Sequence, residues 1–319
     1  MRVLVTGGAG FIGSALVEQL VKRGDQVLVI DNFSTGREEN LEEAKDGFGE
    51  NLVIENCDIR NIETEKLITD YQPSTIFHLA AQVDVRASVE NPLADAETNL
   101  LGLLRVLEGA RKAKTQKLIF ASSGGTIYGE PEAKQLPLNE DTPLNPMSPY
   151  GVSKLAGGLY VDVYSSLHGL KGTTLAMANV YGPRQDPHGE AGVVAIFAGK
   201  LLNGEPCTIF GTGMQTRDFV YVEDVALAFV ASIENGDGKL LNIGTGIETS
   251  IQHLYKEMAL SVGIDSDPEK GAERSGEIER SSLDPSRAEK ILGWKPKTSL
   301  RDGIRSTLGW FESNREENS

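Results

Sequence analysis

Two residues four apart in the segment SPYGVSK, Tyr150 and Lys154, combine a phenol with an ammonium group. On a helix the i, i+4 spacing puts both side chains on one face. An ammonium beside a phenol favours the phenolate, so Tyr150 is a candidate base for proton transfer near neutral pH, with Lys154 as its partner. A second constellation opens the chain. MRVLVTGGAGFIGS begins as a β-branched run and breaks into glycines at Gly7, Gly10 and Gly13, spaced G-x-x-G-x-x-G. Between a strand and a helix, such a turn lets backbone N–H groups approach a pyrophosphate that the helix N-terminus also favours. Asp31 follows at the end of QVLVID. An acidic side chain there hydrogen-bonds a ribose diol and repels a 2′-phosphate, which favours NAD over NADP. An oxidised nicotinamide would place a second positive charge beside the phenol.

These residues need a scaffold, and the pattern supplies one. Apolar runs alternate with amphipathic stretches: RVLVT, a helix over Ile12–Arg23, QVLVID, NLVIENCD, a helix near Ile62–Asp70, STIFHLAA, a helix across Pro92–Ala113, QKLIFASS, a helix from Ser148 and GTTLAMANVYG. That is the βαβ rhythm of a parallel sheet. After residue 180 the rhythm loosens around Pro183, Pro187 and Pro206, with separate helices near Val193–Leu202, Val222–Ile233 and Ile251–Val262. The expected fold class is α/β: a Rossmann-type doubly wound parallel sheet with a smaller mixed α/β C-terminal lobe. Residues 1–178 form the NAD-binding domain and 179–319 the second lobe, with the chain crossing between them more than once. The charge-rich stretch REENLEEAKDGFGEN and the end ESNREENS read as solvated, without chemistry.

The chain has 319 residues, 39% hydrophobic and 24% charged, which suits one large soluble domain or two. No apolar run is long enough to span a bilayer and the first residues lack a secretory signal, so a cytoplasmic protein is expected. A formal charge of -15 repels nucleic acid and anionic lipid, and neither partner is expected. Cys57 and Cys207 are far apart and form no C-x-x-C, which argues against a disulfide framework or a zinc site. His78, His168, His188 and His253 show no ligand spacing, so no metal is expected, and His78 packs near the cofactor.

With these motifs in place, the chain resembles the extended short-chain dehydrogenase/reductases, and among them the UDP-glucose 4-epimerases. The resemblance runs through TGGAGFIG, DNFSTG, FHLAA, ASSGGTIYG, SPYGVSK, NVYGPRQDPHGEAGVV, GTGMQTRDFVYVEDVA and RSGEIERSSLDPSRAEKILGW. It implies that Phe11 and Ile12 close over the NAD pyrophosphate and that Asp31 and Asn32 hold the adenosine ribose beside Ser34, Thr35 and Gly36. It also implies that Asp58 and Ile59 flank the adenine, that Leu79, Ala80, Ala81 and Asn99 line the nicotinamide side, and that Lys154 binds the nicotinamide ribose. For a UDP-sugar it implies Arg217 and Arg274 on the diphosphate and Glu277 on the uridine ribose. Asn179 and Val193 border the sugar or its diphosphate, Thr208 and Phe210 the uracil, and Ser281 the sugar. From the residues alone, Arg217 reads as a surface ion-pair partner of Asp218 or Glu223.

One position departs from the family pattern. Many relatives carry serine or threonine where this chain has Gly124, so the hydroxyl assisting Tyr150 must come from Ser123 or Thr126, with Thr126 preferred because two glycines precede it. Sugar-nucleotide 4,6-dehydratases carry adjacent Asp and Glu where this chain has Gly125 and Thr126, which removes the carboxylates that eliminate water. Asp186 stands where relatives acting on uronic acids place an arginine, which favours a neutral hexose. The implied reaction is epimerisation of UDP-glucose and UDP-galactose through a transient 4-keto sugar. An epimerase for N-acetylated hexosamines, a 4-ketoreductase and a non-catalytic nucleotide-sensing scaffold are the alternatives. Finally, Leu100, Leu101, Leu103, Leu104, Val106 and Leu107 are apolar all round their helix, and Val152, Leu155, Ala156, Leu159, Tyr160, Val163 and Leu167 make a second such face. Together they predict a homodimer through a four-helix interface.

Overall fold

The computed structural model describes residues 1–132, 135–187, 192–273 and 278–316. The first half alternates strands and helices: β1 (Arg2–Thr6), α1 (Phe11–Lys22), β2 (Gln26–Asp31), α2 (Glu42–Phe48), β3 (Leu52–Asn56), α3 (Glu63–Tyr71) and β4 (Thr75–His78). Next come α4 (Val85–Glu90), α5 (Pro92–Ala96), a π-helical turn at Glu97–Leu101, α6 (Gly102–Ala113), β5 (Lys117–Ser123), α7 (Gly124–Ile127), α8 (Pro149–His168) and β6 (Lys171–Met177). The remainder holds β7 (Asn179–Tyr181), α9 (Val193–Leu202), β8 (Thr208–Phe210), β9 (Thr216–Arg217), β10 (Phe219–Tyr221), α10 (Val222–Ala231) and β11 (Lys239–Ile243). It closes with β12 (Thr249–Ser250), α11 (Ile251–Ser261), β13 (Glu269–Gly271), α12 (Ser286–Leu292) and α13 (Leu300–Glu316).

Seven strands form one parallel sheet in the order β11-β6-β5-β4-β1-β2-β3. Both faces are covered, and the side-chain alternation shows why. Val3, Val5, Val27, Val29, Phe77 and Ile119 enter the core under α1 and α10, while Leu4, Leu28, Ile30, Ile76 and Leu118 enter the opposite core with Ile68, Leu103 and Val161. Strands buried on both faces need near-continuous apolar runs, which is what RVLV and QVLVI supply. The strand order reverses between β1 and β4, so the crevice at their carboxyl ends is the switch point where α/β sheets bind ligands.

The sheet takes its edge strand β11 from beyond residue 178, and α10 packs on α1, so the later part of the chain completes the central sheet and its cover. Three small two-stranded sheets, β7 with β10, β9 with β12 and β8 with β13, build the rest. Two details differ from the sequence reading. The charge-rich stretch after Arg37 contains a 3-10 turn and α2, because Leu41 and Ala44 reach the core from between the charges. The helix expected across Pro92–Ala113 is broken by the π-helical turn.

Candidate active site

The residues of the sequence constellations converge on the carboxyl ends of the central strands. Gly7 follows β1 with φ +72, and its N–H donates to the Ile30 carbonyl at 2.8 Å. A Cβ on Gly7 would lie 2.6 Å from the Ala80 amide nitrogen, and one on Gly13 would lie 2.0 Å from the Gly7 carbonyl oxygen. Only glycine lets the turn fold this tightly against α1 and the strand beside it. Gly10 caps α1 without a side-chain hydrogen bond, so the amides of Phe11 and Ile12 in the first turn have no capping side chain. That cradle of free donors fits a dinucleotide pyrophosphate.

Asp31 ends β2 at 7% exposure and accepts from the Ala9 and Phe33 amides, both at 2.9 Å. Burial raises its carboxyl above the ordinary range, and these backbone donors pull it back toward the ionised form. Its position beside the glycine turn fits a ribose diol. Asn32 donates to Asp58 at 2.9 Å and accepts from the Ser34 amide at 3.1 Å, while Arg60 holds the Asp58 carboxyl well below the usual range. Ser34 and Thr35 are exposed and Gly36 is packed against Ala9. Ile59 is buried against Gly102. The Leu79 and Ala80 amides both donate to the Thr6 carbonyl, which carries this segment and Ala81 past the glycine turn. His78 beneath them bonds Thr6 at 2.8 Å and stacks on Phe120, and burial lowers it to about 3, so it is neutral.

Ser148 caps α8 by accepting from the Gly151 amide, and Pro149 opens the first turn, so the helix starts where Tyr150 and Lys154 share a face. Tyr150 is 8% exposed and its amide donates to Ser88 at 3.2 Å. Lys154 Nζ donates to the Ala121 carbonyl at 3.0 Å and lies 5.7 Å from the Tyr150 ring centre. Burial raises the phenol, and the neighbouring Ser123 hydroxyl opposes it by hydrogen bonding. Burial lowers the Lys154 ammonium to about 8. The site therefore holds a buried, protonated phenol and, on the same helix face, an ammonium brought closer to neutrality by burial. Thr126 Oγ1 donates to the Ser123 carbonyl at 3.3 Å, so in this conformation it serves its own short helix. A Cβ on Gly124 would lie 2.3 Å from Leu283 Cδ1, so a side chain there would require the Leu283 methyl group to move.

On the sugar side, Asn179 starts β7, exposed, its amide bonded to the Asp218 carbonyl. Val193 begins α9, and Thr208 and Phe210 lie on β8 beside β13, with the Phe210 ring against Gly271. Arg217 is half-buried on β9, one guanidinium nitrogen donating to the Thr216 carbonyl at 2.8 Å. Its neighbour Asp218 points elsewhere, accepting from Thr245, Gly246 and Leu283. Ser281 is buried at 8% exposure. Arg274, Glu277 and His188 lie outside the described residues.

Sequence reasoning missed the support behind Tyr150 and Lys154. Asp95, 1% exposed, accepts from Ser153 at 2.5 Å, Asn99 at 2.9 Å and Gln82 at 3.2 Å. The signal available was the i, i+4 spacing of Asp95 and Asn99, which puts both on one helical face. Among the described residues, no group of three or more His, Cys, Asp or Glu side chains could hold a metal, and no helix is long and apolar enough to cross a membrane.

Comparison with known proteins agrees with this geometry. Residues 4–307 match the family model described as GDP-mannose 4,6 dehydratase. The chain is 46% identical over 314 residues to the UDP-glucose 4-epimerase of Mycolicibacterium smegmatis, covering 98% of this chain and 99% of that one. It superposes on the crystal structure of Thermotoga maritima UDP-glucose 4-epimerase with UDP-glucose at a TM-score of 0.94, with 43% identity, over 99% of this chain and 100% of the other. The Thermus thermophilus UDP-glucose 4-epimerase complex with NAD gives 0.90 and 42% identity, over 98% of this chain and 99% of the other.

Proposed function

Since the chain belongs to the extended short-chain dehydrogenase/reductase family, we propose that it is an NAD-dependent epimerase interconverting UDP-glucose and UDP-galactose. The observation that carries this reading is that the Tyr150–Lys154 pair on α8, with Lys154 bonded to the Ala121 carbonyl of β5, and the glycine turn and Asp31 at the ends of β1 and β2 all belong to the carboxyl side of one parallel sheet. Gly7, Gly10, Phe11, Ile12 and Gly13 cradle the NAD pyrophosphate. Asp31, with Asn32, Ser34, Thr35 and Gly36, takes the adenosine ribose, and Asp58 and Ile59 take the adenine. Leu79, Ala80, Ala81, Asn99 and Lys154 surround the nicotinamide riboside. Bound there, NAD supplies a hydride acceptor that returns what it takes, so the reaction has no net oxidation.

Tyr150 removes the proton of the sugar C4 hydroxyl as that carbon becomes a ketone, and Lys154 stabilises the phenolate. Ser123 bridges the phenol and the sugar oxygen, with Thr126 one turn away to bind the sugar. The UDP is gripped by Arg217 and Arg274, with Glu277 on its ribose and Thr208 and Phe210 at the uracil. Held there, the keto sugar can turn its other face toward the nicotinamide site between Asn179, Val193 and Ser281, so that the hydride would return to the opposite side of C4 while Tyr150 gives the proton back to the oxygen. Gly125 and Thr126 put no carboxylate beside the sugar, which separates this chain from a dehydratase.

We further assign a homodimer. Of the apolar residues expected at the interface, Leu103, Val106 and Leu107 are instead buried in the chain's own core, whereas Leu101, Val152, Leu159, Val163 and Leu167 are 48–71% exposed on neighbouring helical surfaces, where water contact is unfavourable and a second copy would cover them. Its compartment is taken to be the cytoplasm, supported by two buried, unpaired cysteines. The decisive experiment incubates the protein with UDP-glucose and catalytic NAD and follows UDP-galactose. Formation of UDP-galactose without accumulation of NADH is expected, whereas steady consumption of external NADH would make it a 4-ketoreductase.

A further inference from the structure

We propose that Asp95 is the positioning residue and counter-charge of the Tyr150–Lys154 pair, acting through Ser153 and the electrostatic field at the Lys154 ammonium. The inference rests on reading Tyr150 and Lys154 as the catalytic pair. Asp95 lies on α5, directly before the π-helical turn, and is 1% exposed. Its Oδ2 accepts from Ser153 Oγ at 2.5 Å and its Oδ1 accepts from Asn99 Nδ2 at 2.9 Å and Gln82 Nε2 at 3.2 Å. All three donors are neutral. They satisfy the lone pairs without cancelling the charge, and a desolvated carboxylate is costly unless a cation lies near.

The cation its field reaches is Lys154, next to Ser153 on α8. Around Lys154, the Tyr150 phenol stands on the same helix, His78 on β4 is neutral, and β5 contributes the Ala121 carbonyl and the Phe120 ring. From α4 comes the Ser88 hydroxyl under the Tyr150 amide, and from the π-helical turn the neutral Asn99 amide. Asp95 is the only negative charge in this set. Burial drives the Lys154 ammonium down, and Asp95 opposes that fall. The same charge also resists ionisation of Tyr150.

The three bonds have a second effect. Gln82 follows the Leu79–Ala81 segment, Asn99 sits in the π-helical turn, and Ser153 lies between Tyr150 and Lys154. One carboxylate thus ties the cofactor-lining segment, the inserted turn and the catalytic helix together. π-Helical turns cost hydrogen-bond geometry and occur often at functional sites, and here the turn presents Asn99 to Asp95.

Asp95→Asn removes the charge and keeps the shape. In the cofactor-free chain, the Lys154 titration is followed by NMR of 13Cε-labelled lysine, with the signal assigned by Lys154→Met. The wild-type midpoint near 8 is expected to fall by about one pH unit in Asp95→Asn, and an unmoved midpoint overturns the proposal. In the loaded enzyme, both limbs of the pH profile of kcat/KM should move to lower pH by a similar amount, with KM for UDP-glucose retained. A uniform loss of rate with both limbs in place would leave Asp95 a merely structural residue and also overturns the proposal. Should Asp95→Asn fail to fold, two exchanged pairs differing in one charge replace it. Asp95→Ser with Ser153→Asp should keep the wild-type midpoint, and Asp95→Ser with Ser153→Asn should lower it; equal midpoints overturn the proposal. The NMR arm uses no substrate, so a wild type inert toward UDP-glucose breaks the functional reading and leaves this arm to decide on Asp95.

Discussion

The cofactor side and the sugar side of the crevice are built differently. The pyrophosphate and ribose end of the cofactor side is made largely of backbone: a glycine turn, uncapped amides at the start of α1, and Asp31 held by two amides, all within residues 2–33. Strand and helix hydrogen bonds fix its shape locally. The candidate sugar side is made of side chains from β7, β8, β9 and the segment around Ser281, and local structure alone does not bring these together. Asp218 does much of that work. At 1% exposure its carboxylate accepts from the Thr245 amide and hydroxyl at 2.9 and 2.5 Å, the Gly246 amide at 3.0 Å and the Leu283 amide at 3.1 Å. One buried charge thereby joins Arg217, the loop after β11 and the strand-like run that holds Ser281. A site of backbone tolerates little change of shape, whereas a site of gathered side chains depends on its hub.

The largest expected effect tests the boundary between the two sides. Tyr150→Phe removes the base with little change of volume, so epimerisation should fall by about two or more orders of magnitude while NAD still binds. Near-normal turnover would remove Tyr150 from the assignment. On the cofactor side, Asp31→Ala should weaken NAD about tenfold and reduce the preference over NADP, with KM for the UDP-sugar little changed. Equal binding of both nucleotides before and after the change would show that the carboxylate does not read the ribose.

The complementary change is Asp218→Asn, which turns an acceptor toward the Leu283 and Gly246 amides into a donor. KM for UDP-glucose should rise about fivefold with NAD affinity unchanged. A parallel loss of NAD binding would mean that the two sides are coupled more tightly than their construction suggests. The smallest effect is expected from Ser281→Tyr. If Ser281 borders the sugar as proposed, its small side chain takes less of the pocket than a tyrosine would, so UDP-N-acetylglucosamine should be epimerised by the wild type as well as UDP-glucose. The tyrosine should suppress the acetylated substrate and spare the plain one, as kcat/KM for each will report. An equal effect on both, or a wild type inert toward the acetylated sugar, excludes Ser281 as the gate.

Much of the cofactor side was legible in advance because it is local. A β-branched run, glycines at fixed spacing and an acidic strand end each have a short-range cause, and α9 begins and ends at the residues the periodicity marks, Val193–Leu202. Charge obscured the helix within REENLEEAKDGFGEN, where Leu41 and Ala44 reach the core from a face that composition alone reads as wet. The π-helical turn was illegible for another reason. Within it Asn99 bonds Asp95 and Gln82, and the bond to Gln82 is a contact of the folded chain that no local pattern displays.

By itself, the sequence determined the alternation of strands and helices, the dinucleotide turn, the pairing of Tyr150 with Lys154 on one helical face and the absence of dehydratase carboxylates at Gly125 and Thr126. The first three follow from spacing along the chain, which hydrogen-bond periodicity converts directly into position, and the last from the family resemblance of the ASSGGTIYG segment. The tertiary structure alone decided that Asp95 meets Ser153 across 58 residues, that Leu283 fills the space a side chain at Gly124 would need, and that β11 closes the edge of a sheet begun at Arg2. Those outcomes depend on packing and desolvation between segments remote in sequence, and neither has a period that a single segment can display.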